Sequence, residues 1–387
     1  MEYIKLNELC EINIGKTPSR SNSDYWGIGN KWLSIADLKS KYVSEAKEEI
    51  TDLAVEEAKM RVVPKNTVVM SFKLSIGKLA ILQEDMYTNE AIANFRIKNK
   101  ELITPEYLYY ALKTLNFDNS TDRAVMGATL NKSKLNDIKI PYCKIDIQKK
   151  IVEVLDKSQS LIDKKKEQID LLDDLVKSRF VEMFGYLTKN KNKYNSKKIG
   201  ILCEEILGGG TPSKSHPEYY GGEIPWVTPK DMKCKEINKA QIYINENGIK
   251  NSSAKIIKKN SVLMVIRSGI LKKTLPIAIN RVEVAINQDM KAFILGNSVN
   301  IQYFYFAIKN IERELLSNVR GVTADNIEFS IIKNYELPIP PIELQNEFAE
   351  FVTQTDSIRS KMEASLSELE DNFNSLMQKA LKGELFN

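Results

Sequence analysis

The residue types that carry acid-base, nucleophilic or metal chemistry are present in this chain but not arranged for it. There is a single histidine, His216. It lies in a segment the chain carries twice, and the other copy has Asn22 in its place, so no histidine base is common to both. A phosphate-cradling GxxxxGK[ST] loop does not occur. The glycine run Gly208–Thr211 could hold an anion on its backbone amides, although turn geometry alone accounts for such a run. An adenine methyltransferase needs a polar residue, two prolines and an aromatic in succession to grip a flipped base; the only paired prolines, Pro340 and Pro341, lie between Ile339 and Ile342. Glu45-Ala46-Lys47 and Glu57-Ala58-Lys59 match the shortest carboxylate-and-lysine pattern of a metal-dependent nuclease, and neither recurs in the second copy. Cys10, Cys143, Cys203 and Cys234 form no CxxC pair, which argues against a zinc site or a disulfide framework. The expectation is a chain with no catalytic residue, no metal and no cofactor of its own.

What the chain does repeat is equipment for binding. GKTPSRSNSDYWGIGNKWLSIADLK from Gly15 returns as GGTPSKSHPEYYGGEIPWVTPKDMK from Gly209, with 10 of 25 positions identical and no gap. VVPKNTVVMSFK from Val62 matches IIKKNSVLMVIR from Ile256. TPEYLYYALK from Thr104 matches NIQYFYFAIK from Asn300, and IPYCKIDIQKKI from Ile140 matches LPIPPIELQNEF from Leu337. The offset drifts only from 194 to 197, so the chain is a tandem duplication. The opening loops offer Thr17, Ser19 and Arg20 in one copy and Thr211, Ser213 and Lys214 in the other: hydroxyl and cationic donors beside a rigid proline, the types that contact phosphate. A polar surface turn would look the same. Between matched blocks lie cationic stretches that differ, SFKLSIGK from Ser71 and RSGILKKT from Arg267, as two readers of two short base sequences would require.

The elements that must position these groups follow the same order in each copy. Short apolar runs rich in Val, Ile and Tyr, broken by Gly, Pro, Asn and Ser, read as strands and loops. A short aromatic helix follows, then a Gly-Xaa-Thr loop (Gly127–Thr129; Gly321–Thr323), a proline-bearing segment and a long helix. From Ile147 to Phe184 and from Leu344 to Leu381 apolar residues recur at three-four spacing without Pro or Gly, and Gly185 and Gly383 supply the stops. About 40 residues at 1.5 Å each give helices roughly 60 Å long. Each wants a coiled-coil neighbour; antiparallel pairing of the two would place the binding units at opposite ends of a rod, with Asp146 and Glu343 suited to the helix dipoles.

Composition agrees. With 387 residues, 43% of them hydrophobic, the chain reads as two soluble globular domains. It shows neither a membrane span nor a signal sequence, so a cytoplasmic location is expected. The net charge of +5 is uneven: residues 101–200 and 201–300 each carry +5, and residues 301–387 carry −6. A basic middle points to a polyanion.

At this point the residues resemble the specificity subunit of type I restriction-modification systems. The GxTPS loop with its aromatics opening each half, the Gly-Xaa-Thr followed by LPIPPIELQNEF (more weakly IPYCKIDIQKKI), and the helix ending KSRFVEMFG carry the resemblance across the whole chain. It implies an α+β fold of two tandem, pseudo-symmetric target recognition domains separated by two long antiparallel coiled-coil helices. The boundaries are 1–145 and 186–342 for the recognition domains, and 146–185 and 343–387 for the helices. Each domain would read half of a split, asymmetric site in double-stranded DNA. Two methyltransferase subunits, holding S-adenosylmethionine, would dock on the helices, and restriction subunits could join. Tyr142-Cys143, where the second half has Ile339-Pro340, departs from the pattern and leaves docking open to asymmetry. A roughly 60 Å rod is nearly two turns of B-DNA, each about 34 to 36 Å. The DNA-binding candidates are Lys16, Thr17, Ser19, Arg20, Lys73, Lys78 and Thr129, then Thr211, Ser213, Lys214, Arg267, Lys272, Lys273 and Thr323. Ile147, Gln148, Ile151, Leu344, Gln345 and Phe348 are assigned to partner docking, with coiled-coil packing the alternative for the apolar four. A nuclease centred on Asp37 or Asp231, and a coiled-coil scaffold with incidental basic charge, are the competing functions.

Overall fold

Each half of the sequence spends its Val- and Ile-rich runs on two small sheets that share a core. The structure, a computed structural model, describes residues 1–73, 75–115, 122–124, 127–189, 193–319 and 325–385, the side chains of 122–124 and 127–129 excepted. It divides into two units: Met1–Lys166 with Ala364–Asn387, and Glu167–Glu363.

In the first unit a five-stranded sheet runs in the order Cys10–Ile14, Ile92–Ile97, Val68–Ser71, Leu79–Leu82, Tyr42–Val43. It is antiparallel except for the last pair. Strand Trp26–Leu33 forms a second sheet between Glu48–Ile50 and Tyr87–Thr88. The second unit repeats the plan: Cys203–Gly208, Met290–Leu295, Val262–Val265, Ile277–Asn280, Glu236–Ile237, with Tyr220–Val227 central to the other sheet. Even the irregularities recur. Trp26 and Asn30 both face Ile50 across a bulge, as Tyr220 and Ile224 both face Ile244. Strands Val68–Ser71 and Val262–Val265 are buried at every position, because helices Pro105–Lys113 and Ile301–Asn310 lend aromatic residues to the same cores.

One expectation is corrected here. Gly127–Thr129 is a strand paired antiparallel with Asp122–Ala124, not a loop; three residues, two of them the strand-poor Gly and Ala, are too few to show an alternating period. Residues 321–323 lie outside the described residues.

The long helices are Ile145–Phe184 and Ile342–Lys382. Gly185 and Gly383 follow them at φ 79° and 82°, the left-handed conformation that ends a helix cheaply only at glycine. Each helix divides its packing between the units. Ile151, Leu155 and Ile162 join Phe373, Met377 and Ala380 in the first unit's core; Val176, Phe180 and Phe184 join Phe348 and Val352 in the second's. In the second unit Asp173 pairs with Arg359 at 2.5 Å and Arg179 with Glu347 at 3.1 Å, so the helices run antiparallel there. The three-four stripe is not kept throughout. Leu161 is 55% exposed and Ile358 49%, while Ile162 and Thr355 are buried, because a straight helix of 3.6 residues per turn drifts against a stricter repeat.

Candidate functional site

The opening loops are held by the same four devices in each unit. Gly15 has no room for a side chain, since a Cβ would lie 2.2 Å from the Asn89 carbonyl oxygen; at Gly209 it would lie 2.1 Å from that of Asn287. The loop can hug the neighbouring strand end only with glycine there. Trp32 Nε1 donates to the Lys16 carbonyl at 3.0 Å, as Trp226 Nε1 does to Gly210 at 3.0 Å. Ser19 and Ser21 share a hydrogen bond, as do Ser213 and Ser215. Thr17 donates to Glu90 and Thr211 to Gln288. These hydroxyls therefore shape the loop first, and their remaining acceptor and donor capacity is what a ligand would meet.

A second stretch lies alongside. The connection that follows strand Val68–Ser71 carries Lys73 and Lys78; the one that follows Val262–Val265 carries Arg267, Lys272 and Lys273. Short segments tie each connection to its opening loop. Lys16 N–H donates to the Thr88 carbonyl and Phe72 N–H to that of Ala91. In the second unit Gly210 N–H reaches the Ile286 carbonyl and Ile266 N–H that of Asp289. The Gly-Xaa-Thr region arrives beside them, for Leu130 N–H donates to the Phe72 carbonyl and Ile327 N–H to that of Ile266. Three stretches distant in sequence thus converge in each unit. The side chain of Thr129 and all of Thr323 lie outside the described residues.

The charges at these two places differ between units. Arg20 is clamped by Glu48 through bonds of 2.6 and 2.9 Å, and its guanidinium lies 3.6 Å over the Trp26 ring. That pairing raises the Arg20 pKa and lowers that of Glu48. At the position of Glu48 the second unit has Ile242, and Lys214 has no side-chain partner among the described residues. In the neighbouring connection the pattern inverts. Arg267 is paired with Asp289 at 2.5 Å, and Lys272 lies 3.7 Å from Asp325. Lys73 meets only the Phe72 ring, while Lys16, Lys78 and Lys273 are without a side-chain partner among the described residues. Of the candidates, those without a carboxylate partner among the described residues, and so open to an anion, are Lys16, Lys73, Lys78, Lys214 and Lys273.

Two carboxylates considered for chemistry have structural work. Asp37 accepts from Ser34 N–H and hydroxyl at 2.9 and 2.6 Å, and Asp231 does the same for Thr228 at 2.8 Å each. Among the described residues no group of three or more His, Cys, Asp or Glu could hold a metal ion. Burial pushes the Cys10 and Cys203 thiols up to about 12, the behaviour of packed thiols rather than nucleophiles.

The docking candidates are engaged within the chain. Gln148 is fully buried; its Oε1 accepts from Thr104 N–H at 3.1 Å, and Nε2 donates to the Leu102 and Cys143 carbonyls at 2.7 and 2.8 Å. Gln345 does the same with Asn300 at 2.8 Å and Pro340 at 2.8 Å. Ile151 and Phe348 are core residues, and Ile147 and Leu344 are half-buried against those cores. The sequence reading missed a further pair of contacts: Lys41 with Asp156, and Lys235 with Asp356 at 2.7 Å. That Lys41 and Lys235 stand at the same repeat offset, 194, was the available signal.

Compared with known proteins, the chain matches the family model described as "Type I restriction modification DNA specificity domain" over residues 1–172 and 191–371. It is 27% identical over 373 residues to the type I restriction enzyme MjaIX specificity subunit of Methanocaldococcus jannaschii, covering 90% of this chain and 85% of that one. It is 28% identical over 282 residues to the EcoR124I/EcoR124II specificity subunit of Escherichia coli, covering 69% and 67%. Among solved structures it superposes on the type I restriction-modification system S subunit from M. genitalium with a TM-score of 0.53 and 13% identity, covering 98% and 96%. A chain from a study of complex assembly and conformational transition of the type I R-M system gives a TM-score of 0.59 at 16% identity, covering 99% and 98%. At such identities the likeness speaks for the fold.

Proposed function

This chain belongs to the type I restriction modification DNA specificity family, and from that premise we propose that it reads a bipartite, asymmetric site in double-stranded DNA, one half through each unit. The observation that carries this reading is the doubled frame. Glycine, tryptophan and serine contacts hold the same loop twice, while the cations around it differ in identity and in pairing. A common frame positions a protein on the phosphates, and differing side chains distinguish bases. Two modest footprints on one molecule add their contacts through linkage.

The chain itself acts without catalysis. Its partners are two methyltransferase subunits that bring S-adenosylmethionine and the methyl-transfer residues, and restriction subunits where the system has them. In support, Asp37 and Asp231, the carboxylates a nuclease would need, are bonded to their own turns. No described helix is long and apolar enough to cross a membrane, and a partner of DNA works in the cytoplasm.

The test is to co-express the chain with its methyltransferase and map methylated adenines by single-molecule sequencing. The expected result is a split motif with a fixed gap, of which exchange of residues 1–145 for a relative's alters one half only. A stable complex that methylates no motif would leave a scaffold as the better reading.

A further inference from the structure

We infer that Lys41 with Asp156, and Lys235 with Asp356, are positioning residues that fix the angle between each recognition body and its own long helix, and thereby the gap length the protein accepts. The inference rests on the bipartite reading above. Each helix is tied to its body near its start by a buried glutamine, Gln148 or Gln345. The apolar contacts of Ile151 and Leu155, and of Phe348 and Val352, hold each helix on its core, but burial is non-directional and leaves the angle to the polar contacts. The lysine supplies a second point further along: Asp156 is eight residues beyond Gln148, about 12 Å, and Asp356 eleven beyond Gln345, about 16 Å. The second tether thus falls about one turn later on the same helix face.

Both lysines leave the body at the edge of the five-stranded sheet, held by their own carbonyls, which accept from Ile81 N–H and Ile279 N–H at 2.8 Å each. Their side chains are mostly buried, with 15% and 21% exposed. Aromatic rings of the short helix guide them: Lys41 Nζ lies 4.6 Å from the Tyr110 ring and 5.7 Å from Tyr109, and Lys235 Nζ lies 5.4 Å from Phe306. Tyr110 also donates its hydroxyl to Asp156, a bond Phe306 cannot make. An exposed ion pair adds little to stability. A half-buried one confined by rings admits few geometries, which is what setting an angle requires.

The experiment uses the assembled complex with its methyltransferase, and substrates whose gap is one base pair shorter, equal to, or longer than the mapped one. Lys41→Met and, separately, Asp156→Asn should raise the rate on wrong-gap substrates relative to the correct one by roughly fivefold, the low end of couplings between sites. The bases read in each half should not change, and Lys41→Arg should restore discrimination. Lys235→Met and Asp356→Asn should act likewise. Unchanged discrimination in variants that assemble overturns the inference; should Lys41→Met prevent assembly, the isosteric Asp156→Asn decides. A wild-type complex indifferent to gap length overturns the bipartite reading itself, and is recognised before any variant is made.

Discussion

The two units neutralise an arginine on opposite members of the same pair of loops, while each loop keeps at least one cation without a carboxylate among the described residues. In the first, the opening-loop Arg20 is neutralised by Glu48 while Lys73 of the neighbouring connection faces no carboxylate among the described residues. In the second, Lys214 of the opening loop is free of partners among the described residues while Arg267 is held by Asp289. Ile242 in place of Glu48, and Ala91 in place of Asp289, make the difference. A duplicated frame therefore need not meet DNA with the same cations twice. The frame fixes where the loops are, and a single carboxylate in each unit decides which cation of the pair of loops is neutralised.

Removing the frame should erase the comparison, with the largest effect of all. Trp32→Ala or Trp226→Ala deletes a buried ring and the hydrogen bond that holds the loop, at a cost of about 3–5 kcal/mol; denaturant unfolding of the purified chain measures it. The next effect is on DNA. Lys214→Ala and Lys73→Ala should weaken binding by the assembled complex for all sequences alike, each making the slope of log affinity against log salt shallower by about 0.9. Arg20→Ala and Arg267→Ala should leave that slope nearly unchanged. Equal slopes for the four variants would show that pairing within the chain does not decide contact. A sharper form exchanges the carboxylates: Ile242→Glu should imitate Lys214→Ala in salt-dependent binding, and Glu48→Ile should release Arg20 and steepen the slope.

The smallest effect is on stability. The Arg20–Glu48 pair is about half exposed, so a double-mutant cycle should give less than about 1 kcal/mol. Its pH dependence has a definite sign. The folded pKa of Glu48 lies below the ordinary 4.5 because Arg20 bonds it, so its contribution is present above that value and fades as pH falls through the lowered one. The Lys214 loop, with Ile242 opposite, should show no such term; thermal melts of Glu48→Gln against wild type between pH 3 and 6 would reveal it.

Much of the frame was legible in the sequence. Gly15 and Gly209, Trp32 and Trp226, Ser19 and Ser213 stood out as identities at one offset, and each proves to have a local structural duty. Gly185 and Gly383 end their helices as their position implied. What escaped depends on contacts between residues far apart. Gln148 and Gln345 look like exposed polar residues of an amphipathic helix, yet they bind carbonyls and amides more than 40 positions upstream. Lys41 meets Asp156 across 115 residues and Lys235 meets Asp356 across 121. Nothing in a local period encodes such pairs.

By itself the sequence determined that this protein is a duplicated binding unit with two long helices, because periodicity and repetition are properties of the order of residues. Only the tertiary structure decided which cations remain available, which polar residues of the helices are locked inside, and that Gly127–Thr129 is a strand. The physical reason is that charge neutralisation, burial and short-strand pairing are set by what the chain brings within a few ångströms, and that neighbour is chosen by the fold rather than by the adjoining residues.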